Sequence, residues 1–142
     1  MIASALPLLF VVAAIVVLAV TGNLFSASPF VIAAQAAAVG LNLWARRSFQ
    51  KGTFRVSAAP GSSSIIRRGP YRFIRHPMYS AALLFVWAGI VSHVSVLTLA
   101  IGIAVTALTI ARVIAEERLL SAKYPDYLEY TRSTKAVVPS LF

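Results

Sequence analysis

Apolar residues run along this chain in long uncharged blocks separated by short polar breaks. Residues 2–20 carry no charge, and a second block over residues 30–45 ends at Arg46 and Arg47. Residues 78–91 and 94–111 form a third and a fourth block, parted only by Ser92 and His93. A helix that crosses the hydrocarbon core of a bilayer needs ~20 apolar residues, with a range of about 17–25. The blocks therefore predict an all-α polytopic membrane protein with about four transmembrane helices. The third block is the shortest and fits a tilted or partly spanning helix. So brief a break after it predicts an antiparallel helical hairpin of the third and fourth spans. Thr21, Gly22 and Asn23, followed by Ser26, Ala27, Ser28 and Pro29, predict a turn between the first two.

After residue 111 the pattern changes. Residues 112–123 read as the fourth helix continuing out of the membrane, and Pro125 ends it. Residues 46–76 form a long polar connection, broken by Pro60, Gly61 and a run of serines. No internal repeat is visible. The chain reads as a single membrane-embedded domain over residues 1–142, with a cytoplasmic loop at 46–76 and a cytoplasmic tail at 112–142.

Composition sharpens this. Of 142 residues, 59% are hydrophobic and 12% are charged. A soluble domain carries roughly 25% charged residues, so the bilayer must solvate much of this chain. The absence of cysteine excludes disulfides and thiolate metal sites. The net charge of +9 would point to nucleic acid in a soluble protein. Here the basic residues Arg46, Arg47, Lys51, Arg55, Arg67, Arg68, Arg72 and Arg75 gather in the long connection, while the breaks at 21–29 and 92–93 hold none. The positive-inside rule puts that loop, the tail, both termini and any active site there on the cytoplasmic face. The charge then faces anionic membrane lipid, with no nucleic acid implied. The apolar start has neither a basic n-region nor a small-residue cleavage site before a soluble domain, and reads as a retained transmembrane helix.

Three groups of residues could carry chemistry. The string Arg67, Arg68, Gly69, Pro70, Tyr71, Arg72, Phe73, Ile74, Arg75, His76, Pro77, Met78 and Tyr79 stands at the mouth of the third helix. Pro77 suits a first helical turn, and the free N–H groups of such a turn suit an anion. His76 and Tyr79, three apart, share a helix face. A juxtamembrane anchor explains the same string, with Arg for lipid phosphate and Tyr and Phe for the aromatic belt.

The second group is Arg112, Glu116 and Glu117. Arg112 and Glu116 share a face at a spacing of four, and Glu117 points about 100° away. Arg112 either meets an anionic substrate group or neutralises Glu116 in an ordinary ion pair. All four acids of the chain, Glu116, Glu117, Asp126 and Glu129, fall in this tail. The third group, Tyr124, Tyr127 and Tyr130, forms a stripe that reads as an interfacial helix on the membrane, above all for Tyr124 and Tyr130. His93 stands alone on the opposite side and reads as a loop residue.

Together these residues resemble a known family. Gly69, Pro70 and Tyr71, then Arg75, His76, Pro77, Met78 and Tyr79, then after a hairpin Arg112, Glu116, Glu117, Tyr127, Tyr130 and Pro139, look like the isoprenylcysteine carboxyl methyltransferases. That family belongs to a wider group with phospholipid N-methyltransferases and the C-terminal halves of sterol reductases. The resemblance runs over residues 43–139 and leaves the first helix without a motif. It implies S-adenosylmethionine as cofactor. It matches Ser63, Ser64, Ile65, Ile66, Tyr71, His76, Pro77, Met78, Tyr79 and Glu116 to cofactor-binding positions, and Arg112 to an arginine that meets the substrate's carboxylate. It further implies a pocket closed by the C-terminal segment and a lipophilic or prenylated substrate entering from the bilayer. Ser63 replaces a frequent histidine and Ala81 a common glycine.

S-adenosylmethionine offers a carboxylate, an ammonium, ribose hydroxyls and a sulfonium. Helix-start N–H groups, His76 and nearby arginines suit the first, and Glu116 suits the ammonium or the hydroxyls. Methyl transfer is an in-line displacement that gains most from positioning. A carboxylate acceptor needs no base, whereas an amine acceptor would use Glu117 as the nearest one. Arg112 and Glu117 are thus the catalytic candidates. A lipid-amine N-methyltransferase, a nicotinamide-dependent reductase relative and a small four-helix transporter or subunit are the alternatives. A transporter needs an ionisable residue within a span, and no acid, Lys or Arg lies in one.

Overall fold

The computed structural model describes residues 2–50 and 66–137, with side chains for 9–48 and 66–137. The helices are α1 (Ile2–Val20), α2 (Pro29–Gln50), α3 (Pro77–Ser92), α4 (Val96–Lys123) and α5 (Tyr127–Ser133), with a 3-10 turn at Gly69–Arg72. Among the described residues there is no strand, only an isolated parallel bridge between Ile74 and Lys135. The all-α expectation agrees. The number of crossings does not follow from the helices themselves. Among the residues with described side chains, α4 is the one helix long and apolar enough to cross a membrane; Pro77–Ser92 and the described part of α1, Leu9–Val20, are apolar but shorter. Asn42, Arg46 and Arg47 make the second half of α2 too polar, although the helix has 22 residues.

Helix ends and polarity changes do not coincide. α2 continues beyond Arg46 and Arg47 to Gln50, because nothing in that stretch breaks a helix. α4 starts at Val96, not at Val94, because Ser95 caps it. The Ser95 hydroxyl accepts from Thr98 N–H at 3.1 Å, and the Thr98 hydroxyl accepts from Ser95 N–H at 2.9 Å. The helix ends at Lys123 because Tyr124, preceding Pro125, is extended at φ −120° and ψ 111°. α1 closes with Gly22 in the left-handed region at φ 73°. Gly22 N–H bonds the Ala19 carbonyl and Asn23 N–H the Leu18 carbonyl, a Schellman ending.

α2 packs along α3, α1 against α4, and α3 against α4. Leu18, Leu24, Val86 and Ile90 form a buried core, with Ile15, Phe85, Trp87 and Ile101 around it. The chain between α1 and α2 lies directly on α3: a side chain at Gly89 would collide with the Leu24 carbonyl oxygen and come within 3.0 Å of its Cα. Gln35 of α2, buried, donates to that same carbonyl at 2.8 Å. The Trp87 indole N–H donates to the Thr106 hydroxyl at 3.0 Å and ties α3 to α4. At the other end Gly69, at φ 60°, presses the 3-10 turn onto α2, where a Cβ would strike Ser48 and stand 3.3 Å from Trp44 Nε1. Large apolar side chains stay exposed on the four long helices, among them Val16, Ile32, Leu84 and Ile103. An apolar exterior of this extent matches membrane association.

Two glycine substitutions separate packing from propensity. Gly89→Ala is expected to lower unfolding stability by about 1–3 kcal/mol, since the obstacle is backbone. Gly40→Ala meets nothing within 4 Å and should be neutral or stabilising by roughly 0.5–1 kcal/mol. Intrinsic-fluorescence melting in detergent, with Trp44 and Trp87 as probes, checks both.

Candidate functional site

The site grows from the start of α3. Pro77 fixes the first turn, and His76 is the residue before it, at φ −121° and ψ 58°. The His76 carbonyl accepts from Tyr79 N–H at 3.0 Å and from Ser80 N–H at 3.1 Å. Those two amides are therefore engaged, contrary to the expectation that the helix start leaves its N–H groups open to an anion. The imidazole stacks on the Tyr79 ring, with centroids 5.5 Å apart and planes inclined by 15°.

The end of α4 supplies the opposite wall. The Tyr79 hydroxyl donates to Glu116 Oε1 at 2.7 Å, and Arg112 Nε donates to the same oxygen at 2.9 Å. The Arg112 guanidinium also lies over the Tyr79 ring, 5.6 Å from its centroid. Arg75 Nε donates to Glu117 Oε1 at 2.7 Å. His76 stands between the acids, with Nδ1 3.7 Å from Glu116 Oε2 and Nε2 3.4 Å from Glu117 Oε1. Its side chain is only 7% exposed, against 35% and 26% for the two glutamates. Burial pushes the imidazole below its ordinary pKa, although both glutamates pull the other way. Among the described residues, His76 Nε2 and the Tyr127 hydroxyl are buried without a hydrogen-bond partner.

A third layer comes from the tail. Tyr127 and Tyr130 of α5 are buried, and the Tyr130 hydroxyl donates to the Tyr71 carbonyl at 2.6 Å. Burial raises both phenols to about 12. Arg67 lies 5.5 Å over the Tyr130 ring. Beyond α5 the chain pairs with the residues that lead into α3. Arg75 N–H bonds the Lys135 carbonyl at 2.7 Å, Lys135 N–H the Phe73 carbonyl at 3.0 Å, and His76 N–H the Ala136 carbonyl at 2.9 Å. The Ser80 hydroxyl donates to the Val137 carbonyl. Ala136 and Val137 then pack with Val113 against Tyr79 and Leu83.

Of the candidates, His76, Tyr79, Arg112, Glu116 and Glu117 are brought together. Arg112 takes the ion-pair option on Glu116. Pro77 is fully buried beneath them and Met78 is half-buried on the same turn. Tyr71 joins through its carbonyl alone, and burial raises its phenol. Ile66 is half-buried ahead of the 3-10 turn, while Ser63, Ser64 and Ile65 lie outside the described residues. The tyrosine stripe is corrected. α5 begins only at Tyr127, so Tyr124 belongs to a different element, and Tyr127 and Tyr130 face inward and not onto a membrane surface. His93 ends α3, with Nδ1 3.3 Å from the Gly89 carbonyl, away from the cluster. Residues not singled out beforehand are Ser80, the 134–137 segment and, as a tie between groups, Arg75; Tyr127 stood in the tyrosine stripe and the resemblance but not among the site residues. Only Arg75 carried a signal, its place beside His76. Among the described residues no group of three or more acids and histidines is set to hold a metal.

A protein-family model described as phospholipid methyltransferase matches residues 30–127, which take in α2 to α4 and both strings of the cluster. Among curated proteins the chain is similar to the cobalt-zinc-cadmium resistance protein CzcN of Cupriavidus metallidurans, at 30% identity over 81 residues. That similarity covers 56% of this chain and 38% of CzcN, so the chain matches well under half the length of this relative. No solved structure matches the chain.

The buried imidazole gives a pH signature. An unfolded histidine takes up its proton near pH 6.5, the folded His76 only at lower pH. Its contribution to stability is whole above about pH 6.5 and falls as pH drops through the interval between the two values. Melting temperatures should decline across that interval, and His76→Gln should flatten the decline. An equal slope in the variant would assign the effect to other groups.

Proposed function

The chain belongs to the phospholipid methyltransferase family, and from that premise we propose that it is an integral membrane enzyme that transfers a methyl group from S-adenosylmethionine to a lipophilic acceptor. The observation that carries this reading is the convergence of His76, Tyr79, Arg112, Glu116 and Glu117 beneath the C-terminal segment. The residues suit the donor. Glu116 and Glu117 are half-exposed carboxylates fit for an ammonium group. His76 Nε2 and the Tyr127 hydroxyl are unsatisfied among the described residues, and such buried polar atoms suit hydroxyl or carboxylate partners. Tyr71, Met78 and the 63–66 stretch complete the proposed donor site.

When bound, S-adenosylmethionine supplies an electrophilic methyl carbon on a charged sulfur. The chain's residues then have three tasks. Glu116, held by Tyr79, fixes the donor. The segment over Tyr79 and Leu83 keeps water out. Arg112 turns from Glu116 to an acceptor carboxylate, as in the isoprenylcysteine-type enzymes that the motifs resemble. A carboxylate oxygen attacks without losing a proton, so no base is needed. A second reading is a lipid amine, favoured by the acid pair itself: Glu117 would take the proton that an amine must shed. Alkali releases a methyl group from an ester and not from an amine, so base treatment of the methylated product separates the two.

The membrane reading is multi-pass, with α1 to α4 as spans and the cluster on the cytoplasmic side. Exposed apolar side chains on all four helices support it, as does the crowding of arginines around the cluster and its connection. The acceptor would reach Arg112 from the bilayer.

S-adenosylhomocysteine titrated calorimetrically into the purified full chain should bind in the micromolar range. His76→Ala and Glu116→Ala should each weaken it by about tenfold or more, the worth of a hydrogen bond to a charged group. Absence of binding to the wild type in every detergent and lipid tried would contradict the proposal.

A further inference from the structure

The Arg75 side chain hydrogen-bonds both the acid pair and the tail. Its side chain is 11% exposed, and Nε donates to Glu117 Oε1 at 2.7 Å. Its Nη1 turns the other way, to the Thr131 carbonyl at 3.2 Å, the Thr134 carbonyl, and the Thr134 hydroxyl at 3.4 Å. Its own N–H holds the Lys135 carbonyl. One planar guanidinium thus spans from α4 to the end of α5, with each edge committed to a different element. The fork geometry matters: an ammonium on a flexible stem is a point charge and cannot hold two directions in one plane.

Arg75 is one of several groups that keep the 134–137 segment in place, and among the side chains in these ties it is the one that is also bonded to Glu117. Its other ties include Lys135 N–H to Phe73, His76 N–H to Ala136, Ser80 to Val137, the Thr134 hydroxyl to the Tyr130 carbonyl at 2.6 Å, and the contact of Ala136 and Val137 with Val113, Tyr79 and Leu83. The position of Glu117 and the position of this segment are therefore not independent. If Glu117 shifts, Arg75 shifts, and the carbonyls of Thr131 and Thr134 lose their donor. Conversely, a segment that lifts away leaves Arg75 held by Glu117 alone.

We propose that Arg75 is a positioning residue that couples closure of the 134–137 segment to occupancy of the donor site, so that each favours the other. The inference rests on the methyltransferase reading. A donor ammonium arriving at the acid pair fixes Glu117, Glu117 fixes the guanidinium, and the guanidinium holds the segment shut over Tyr79 and Leu83. Coupling of this kind is reciprocal, because the factor by which ligand stabilises closure equals the factor by which closure tightens ligand.

The test is amide hydrogen exchange on the full chain in lipid nanodiscs, with and without S-adenosylhomocysteine, read at Arg75, His76 and Lys135. These three amides are bonded across the segment. In the wild type the ligand should slow their exchange by about tenfold, within the usual 5–150-fold range of such couplings. Arg75→Lys, which keeps the charge, should abolish that slowing and raise the ligand Kd by a similar factor. Ser80→Ala is the control for a merely loosened segment: it should speed exchange without ligand yet retain the ligand-dependent slowing. Ligand-dependent slowing that is undiminished in Arg75→Lys would overturn the coupling. So would a ligand that binds the wild type and leaves the three amides unchanged. Failure of the wild type to bind at all, seen by calorimetry, would instead remove the methyltransferase reading on which the coupling rests.

Discussion

Two adjacent carboxylates near the end of a long apolar helix must each find a cation or a hydrogen-bond donor, and that need organises this molecule. Glu116 and Glu117 each take a close donor of their own, while the His76 ring lies within 4 Å of both. Arg112, one turn back, and Tyr79 of α3 meet the first; Arg75, just ahead of α3, meets the second. His76 sits between them, buried, with its pKa lowered by that burial. Desolvation offsets much of the Coulombic gain of such partly buried pairs, while loss of one partner leaves the other charge uncompensated. The pairs also fix geometry. The first turn of α3 and the last apolar turns of α4 are held face to face, and the tail is drawn over both.

The remainder of the fold serves that junction at a distance. The hairpin of α3 and α4 is set at its far end by the reciprocal cap of Ser95 and Thr98 and by the Trp87–Thr106 bond. α2 supports the near end, where Gly69 lets the 3-10 turn press against Trp44 and Ser48. The cluster is thus built on long helices and closed by a short segment held largely through main-chain groups. Rigid walls with a light cover suit a reaction whose rate depends on positioning and on excluding water.

Much of this was legible in the residues. The uncharged blocks located the helices, and the spacings of three and four anticipated the His76–Tyr79 stack and the Arg112–Glu116 pair. Helix ends were less legible, because polarity marks where an apolar medium stops and not where a helix does; α2 runs past Arg46 and Arg47 for this reason. The inward turn of Tyr127 and Tyr130 was hidden because Pro125 breaks the helix and resets its phase. The resemblance implied a C-terminal segment over the pocket, but the main-chain pairing of residues 134–137 left no trace, since carbonyls belong to every residue. Arg75 was visible as part of a string, but its two-sided role depends on elements 42 and 59 residues away.

The central claim is that this junction is a methyl-transfer site. Incubation of the full chain with tritiated S-adenosylmethionine and a native lipid extract tests it most directly. The account predicts label in the lipid fraction, present with the wild type and reduced at least tenfold in Glu116→Gln, the loss expected for a bond to a charged group. Wild-type and variant chains that transfer label equally, or a wild type that transfers none although it binds the donor product, would contradict it.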